Sequence, residues 1–391
     1  MNWYQVLEEI KKKDKIYDLS TGSPLILPEV SAHVLHSLHE LSSSVALSRE
    51  IASYTDTYGL PELIDSFIEQ CSNDFKCEIH PKQVFVVPGV QAGLRYIQEI
   101  IHAQGKRILF PLGLEFPGAS NNLLSAECSC GIYRSVNCDD IYCKPLLDLS
   151  GADWTRVGAV LISRPHNPTG RYWSKLEIEN AASAARDRNA LLLLDETYAL
   201  PFAPLIPDKG RAPFHAENVL HLYSFSKVGL ASERVGVVIG PEQIITLLRS
   251  VLRNNIIQPP RIGQYVAASL IPFFQEYPDV ASKFSRLFQA HYNIGQTFLK
   301  GTKVRGNPLR ITAWEGGPFL WCEWEGSPTG DGLFWSLLEA GVAVAPESAL
   351  RVGSFIEKRS TLNGMRIGLG ETTRNLEAGF AVISEVLRRS K

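Results

Sequence analysis

The chain has 391 residues, 45% hydrophobic and 20% charged, an ordinary globular composition that at this length implies two domains. A net charge of −2, with no basic block longer than Lys11–Lys13, excludes a nucleic-acid or anionic-membrane surface. No stretch approaches the roughly 20 apolar residues of a membrane span, and charges interrupt the first apolar run, so a cytoplasmic protein without a signal peptide is expected.

In chain order, seven short apolar runs read as strands: 83–87, 107–110, 129–136, 159–163, 191–195, 219–223 and 234–240. Several are apolar throughout rather than alternating, as in strands buried on both faces. Helical patterns lie between them, among them 93–105 and 174–189. The second opens with Ser174 and Glu177, the signature of a capping box. Together they predict an α/β fold, a mostly parallel seven-stranded sheet flanked by helices. After about residue 240 the strand rhythm stops. A long helical stretch through 260–300 leads into a smaller α+β domain. The expected division is 1–45 packing with the small domain, 46–285 as the large domain and 286–391 as the small one. Seven cysteines, an odd number, predict reduced thiols. Cys128, Cys130, Cys138 and Cys143 cluster, but their spacing matches no common zinc module, and no metal is expected.

Open α/β sheets bind ligands beyond their strand ends, and four ends here carry unusual residues. After 83–87, the turn "PGVQAGL" at Gly89 and Val90 opens a helix whose free N–H groups can seat a phosphate. After 159–163 comes "RPHNPTG", where Pro165 and Pro168 bracket Asn167. Asp195 follows four leucines, with Tyr198 three residues on. It is either a helix N-cap or a carboxylate awaiting a buried cationic nitrogen. Lys227 follows 219–223, where partial desolvation favours the neutral amine, and a neutral amine can form an imine with an aldehyde. Each feature alone has a bland alternative: a turn, a cap, an exposed lysine. The set combines a phosphate seat, a carboxylate for a ring nitrogen, Asn167 and Tyr198 for a phenolic oxygen, and an amine for an aldehyde. That set describes a pyridoxal 5'-phosphate site.

In this order, "NPTG" (167–170), "DETY" (195–198) and "SFSK" with Arg234 and Gly236 resemble the class I/II aminotransferases of the fold-type I pyridoxal-phosphate superfamily. "GSPLILPEV" (22–30), "LFPLGLEFPG" (109–118), "SRPHNPTG" (163–170), "SFSKVGLASERVGVVI" (224–239) and "GGPFLW" (316–321) are similar to the valine–pyruvate aminotransferase branch. The resemblance implies that Lys227 is the Schiff-base lysine and proton shuttle and that Asp195 pairs with the pyridine nitrogen. It implies that Tyr198 and Asn167 bond the phenolic oxygen, and that Ser224, Ser226, Arg234, Gly89 and Val90 hold the phosphate. Tyr54, in "YTDTYGLPEL", would reach the phosphate of the partner subunit in a homodimer with shared active sites. Arg366, in "GMRIGLG", would grip the substrate carboxylate, with Gly22 letting backbone approach the substrate. The substrates implied are an amino acid and a 2-oxo acid.

Three positions depart from the family's pattern. Val90 replaces a small or hydroxyl residue. Gly113 stands where an aromatic commonly stacks on the cofactor, which passes that part to Phe116. Glu347 in "APES" replaces a glycine: either it points to solvent, or, over an apolar pocket, it would welcome a cation on the substrate. Elimination, replacement, decarboxylation or cyclisation would use the same residues and is the alternative to transamination. A transcription regulator would need a DNA-binding module ahead of "LSTGSP", which begins at Leu19, and is set aside.

Overall fold

The computed structural model describes residues 1–54, 58–120, 128–131, 133–207, 213–352 and 362–389. Seven strands form the central sheet: β1 Val84–Val87, β2 Arg107–Phe110, β3 Cys128–Cys130, β4 Val157–Ser163, β5 Leu191–Asp195, β6 Val219–Ser224 and β7 Gly236–Ile239. Their order across the sheet is β1-β7-β6-β5-β4-β2-β3. Neighbours run parallel except at β7, which is antiparallel to both β1 and β6. The fold is thus the α/β class with a mostly parallel sheet of seven strands. Every residue of β1, β4, β6 and β7 is buried. Helices explain this by covering both faces. Leu161 and Leu193 pack with residues of helices Val90–Ala103 and Glu242–Ile256. Val160, Ile162, Leu192 and Leu194 pack with Ala181, Ala182 and Ala185 of helix Lys175–Arg186. That helix opens with the expected capping box: Ser174 accepts the Glu177 amide, and Glu177 accepts the Ser174 amide at 2.8 Å.

A second sheet takes Ser135–Asn137, Tyr142–Pro145, Arg310–Thr312, Phe319–Glu325, Leu362–Gly368 and Ala345–Pro346. The single strand expected over 129–136 is therefore two strands in two sheets. The cause is a close crossing of backbones. A Cβ at Gly131 would collide with the Pro111 carbonyl, and one at Gly113 with the Gly131 carbonyl. Gly113 also has φ +64°, in the left-handed region that favours glycine. The Gly131 amide donates to the Phe110 carbonyl at 2.8 Å, and the chain then leaves the first sheet for the second.

The N-terminal stretch serves both parts. Helix Trp3–Lys11 buries Val6 and Ile10 with Phe334, Leu338 and Ala349. Tyr17–Asp18 pairs parallel to Val342–Ala343. Helix Pro28–Ser42 lies on helix Ile262–Glu276, where His33 Nε2 meets the Ser269 carbonyl at 3.1 Å. Among the described residues, no group of three or more His, Cys, Asp or Glu could hold a metal ion, and no helix is long and apolar enough to cross a membrane.

Candidate active site

The carboxyl ends of β4, β5 and β6 open onto one pocket. Val90, Phe116, Ser163, Asn167, Asp195, Tyr198, Ser224, Ser226, Lys227 and Arg234 line it. Parallel strands bring this about, because their ladder sets chain-distant ends side by side: Ser163 lies opposite Asp195, and Asp195 opposite Leu222. Gly89, with φ +81°, caps the helix that starts at Val90. Its own amide donates to the Val87 carbonyl at 2.7 Å, so what Gly89 contributes is room: a Cβ there would collide with the Arg234 guanidinium. Arg234 itself has φ +55°, a strained conformation for a non-glycine residue. Its Nη1 donates to Ser226 Oγ at 3.0 Å, and the Ser226 amide donates to Ser224 Oγ at 3.1 Å. Hydroxyls, a guanidinium and a helix N-terminus thus converge at one end of the pocket.

The middle holds the titrating groups. Asp195 Oδ1 accepts the Thr197 amide at 3.0 Å and the Thr197 hydroxyl at 2.6 Å. Burial nevertheless raises its pKa above the ordinary carboxylate value. Burial first, then the positive charges of Arg366 and Arg234, push Lys227 down to about 8. Lys227 Nζ donates to the Gly22 carbonyl at 2.6 Å and stands 5.7 Å from the centroid of the Tyr198 ring. Asn167 Nδ2 meets Tyr198 Oη at 3.4 Å, and burial raises the Tyr198 pKa. The Asn167 loop is rigid for reasons beyond its prolines. His166 is buried, faces Thr169 Oγ1 at 2.8 Å and the Leu114 carbonyl at 3.1 Å, and is held near pKa 4 by that burial.

Arg366 comes from the second sheet. Its Nη1 donates to Asn167 Oδ1 at 2.7 Å and its Nη2 to the Ser20 carbonyl at 2.5 Å. The guanidinium carbon lies 4.5 Å from the Phe319 ring centroid and 5.4 Å from that of Trp3. Burial lowers its pKa to about 10, so it remains charged at neutral pH. The Asp18 carboxylate acts on it from beyond ion-pair reach, and among the buried side-chain atoms described its Nε has no hydrogen-bond partner. Gly22 permits the close approach, since a Cβ there would come within 2.7 Å of the Phe319 ring.

The three departures have physical explanations. Val90 is buried at the helix start and lines the pocket. Gly113 is needed for the crossing with Gly131, so the aromatic on the pocket is Phe116, which a Cβ at Gly118 would displace. Glu347 is turned inward, where it accepts Arg351 Nε at 3.1 Å and Nη2 at 2.8 Å. Tyr54 is 79% exposed and does not line this pocket; Thr55, Asp56 and Thr57 of its motif lie outside the described residues. Ser163, Thr197 and Trp3 escaped the sequence reading. Ser163 ends an apolar strand just as Ser224 does, so the same signal points to it. Nothing local in the sequence points to Trp3, whose neighbour Arg366 lies at the far end of the chain.

A fold-type I sheet with a lysine, a buried carboxylate and converging anion donors at a helix N-terminus is the arrangement of a pyridoxal-phosphate enzyme. Residues 14–379 match the family described as aminotransferase class I and II, and the chain belongs to it. It is 24% identical over 385 residues to the valine–pyruvate aminotransferase of Escherichia coli, covering 95% of this chain and 91% of that one. It shares the fold of the valine–pyruvate aminotransferase of Salmonella typhimurium, with a TM-score of 0.84, 21% identity, and coverage of 99% and 98%. It also shares the fold of a Thermus thermophilus aspartate aminotransferase variant, with a TM-score of 0.77, 19% identity, and coverage of 98% and 95%. The protein is therefore a pyridoxal-phosphate-dependent aminotransferase that moves an amino group between an amino acid and a 2-oxo acid. The pocket fits that cofactor, because Gly89 leaves a cradle that a Cβ would fill and the donors around it are those an anion needs.

Proposed function

We propose that this aminotransferase takes its amino group from an amino acid with an uncharged, apolar side chain, and that Arg366 holds the α-carboxylate. The observation that carries the reading is a buried guanidinium with no carboxylate partner among the described residues and two aromatic rings beside it. Among the described carboxylates only that of Asp18 acts on it, from beyond ion-pair reach; a buried cation so weakly compensated is costly, and a substrate carboxylate would offset that cost. The Phe319 and Trp3 rings make the surroundings apolar, and Glu347, the carboxylate that replaces the family's glycine, is bonded to Arg351. The likeness to a valine–pyruvate aminotransferase supports an aliphatic donor.

When bound, pyridoxal phosphate supplies an aldehyde for the amino group and a protonated ring that draws electrons from the α-carbon. Lys227 Nζ holds and returns the α-proton, a task suited to an amine whose pKa has fallen to about 8. Asp195, the buried carboxylate at the end of β5, would hold the ring nitrogen, and a cation opposite it would counter the burial that raises its pKa. Asn167 and Tyr198 would hold the phenolic oxygen, Ser224, Ser226, Arg234 and the amides from Val90 onward would hold the phosphate, and Phe116 would pack on the ring.

The reading includes a homodimer in which Tyr54 completes the partner's site. Apolar side chains exposed at Ile26, Leu35, Ile51, Tyr54 and Ile262 support it, as does the bond from Tyr265 Oη to Glu50 that ties this region together. It also includes a cytoplasmic location, supported by free thiols at Cys71, Cys77, Cys130, Cys138, Cys143 and Cys322. A panel of amino acids given singly, with no 2-oxo acid, tests the function. An aliphatic donor should release one equivalent of its 2-oxo acid per site and then stop until an acceptor is added. Continuous turnover without acceptor, or release of an eliminated side chain, would overturn the reading. Sedimentation as a fully active monomer would overturn the dimer.

A further inference from the structure

The roles assigned so far leave Glu115 unused. It follows β2 in the loop that carries Phe116 and is 3% exposed. Its Oε1 accepts the Phe116 amide at 2.9 Å and the Ser163 hydroxyl at 2.8 Å. Ser163 Oγ in turn accepts the Asn167 amide at 3.0 Å. A hydroxyl has one proton to donate. Since Ser163 gives its proton to Glu115, only its lone pairs remain for Asn167, and the bonds run one way from Asn167 through Ser163 to Glu115. Phe116, Ser163 and Asn167 all line the pocket, and Glu115 joins them from behind.

A carboxyl is an expensive group to bury for this purpose. No cation is among the groups that act on it, and the charge it feels is that of Asp195. Burial, with that like charge adding to it, pushes its pKa up to about 8 against the bonds from Phe116 and Ser163.

We propose that Glu115 is a positioning residue for the aminotransfer reaction: through Ser163 it fixes the backbone of Asn167, and through its own chain neighbour it fixes the ring of Phe116, so that both side chains stay against the cofactor. The proposal rests on the reading of Asn167 given above.

The test uses the cofactor-loaded enzyme and four variants: Glu115→Ala, Glu115→Gln, Ser163→Ala and Asn167→Ala. Two quantities are measured: the dissociation constant for pyridoxal phosphate and the pH midpoint of the bound cofactor's visible absorption. Glu115→Ala should weaken cofactor binding about tenfold, the effect of one or two lost hydrogen bonds, and should move the midpoint in the same direction as Asn167→Ala. Glu115→Gln, which keeps an acceptor oxygen, should restore most of both. Should Glu115→Ala fail to fold, Ser163→Ala deletes one oxygen and carries the same expectation. If Asn167→Ala moves the midpoint while Glu115→Ala and Ser163→Ala do not, the proposal is overturned and the role of Asn167 stands. If Asn167→Ala leaves the midpoint unmoved, the reading of Asn167 fails, and unchanged cofactor affinity in Glu115→Ala then overturns the proposal as well. Glu115→Gln as damaging as Glu115→Ala would also overturn it, because the bond alone would not suffice.

Discussion

The two ends of the pocket are assembled differently. Toward the cofactor, Ser163, Asp195 and Ser224 are the last residues of β4, β5 and β6, and one ladder of backbone bonds sets their spacing. Toward the substrate, Arg366 bonds Ser20 across 346 residues of chain, and Trp3 and Gly22 arrive from the N-terminal stretch. The first end is a property of the sheet. The second exists only once the two sheets and the N-terminal stretch have packed together. Damage at the first end should therefore strike the chemistry, and damage at the second should strike substrate binding and choice.

The largest expected effect lies at the cofactor end. Lys227→Ala should lower kcat by about 10²–10⁴-fold or more, the range for removing a positioned acid–base group. Borohydride treatment should no longer fix cofactor to the chain. Cofactor fixed to another lysine would break the assignment. The parent enzyme supplies a pH test with a definite sign. Lys227 captures an aldehyde as the free amine, and its pKa has fallen to about 8. Cofactor uptake by the apoenzyme should therefore quicken as pH rises toward 8 and level off above it. A rate still climbing steeply near the ordinary lysine range would show that burial does not depress this amine.

At the substrate end the effect should be smaller and of another kind. Arg366→Ala should weaken amino-acid binding by about 2–5 kcal/mol, as when one partner of a buried charge pair is removed, with cofactor still bound. It should also raise the pH midpoint of cofactor uptake, because Arg366 is one of the charges that hold Lys227 down. Unchanged amino-acid affinity in titrations would move the carboxylate site elsewhere. An unmoved midpoint would show that the two ends act independently.

The same contrast explains how much the sequence revealed. Strands buried on both faces must be apolar without alternation, so β1, β4 and β5 stand out as runs. A carboxylate after four leucines and a lysine after an apolar strand stand out against them, which makes Asp195 and Lys227 legible. Glu115 carries the same signal, an acid inside "LFPLGLEF". Its partner Ser163 follows 48 residues later, and only the ladder between β2 and β4 shows that the two meet. The split at 129–136 was hidden because an unbroken run gives no hint that Gly131 must cross Pro111 by bare backbone. Trp3 was hidden because nothing local distinguishes a helix-opening tryptophan that meets an arginine from one that merely packs.

The smallest expected effect concerns Glu347, where a carboxylate replaces the glycine of the family's pattern. From sequence it had two readings, a solvent-facing residue or a receptor for a substrate cation. The structure supports neither. Glu347 is 7% exposed and takes both a 3.1 Å and a 2.8 Å bond from Arg351, one helical turn on. Burial raises its pKa and Arg351 pulls it back, so the group behaves as half of an internal pair. It sits close to the substrate end, since its neighbour strand Ala345–Pro346 pairs with Arg366, yet it does not line the pocket. Arg351 keeps 38% of its side chain in solvent, so losing the carboxylate's charge would not strand a fully buried cation. Glu347→Gln keeps an oxygen that accepts from Arg351, which stays partly in solvent, so it should cost about 1 kcal/mol in unfolding free energy, the net worth of one hydrogen bond. It should leave the ratio of kcat/KM between aliphatic and cationic donors unchanged. A loss confined to donors with a distal amine or guanidine would mean that Arg351 yields its place when substrate arrives. The substrate end would then be shaped by exchange of partners, and the apolar-donor assignment would fall with it.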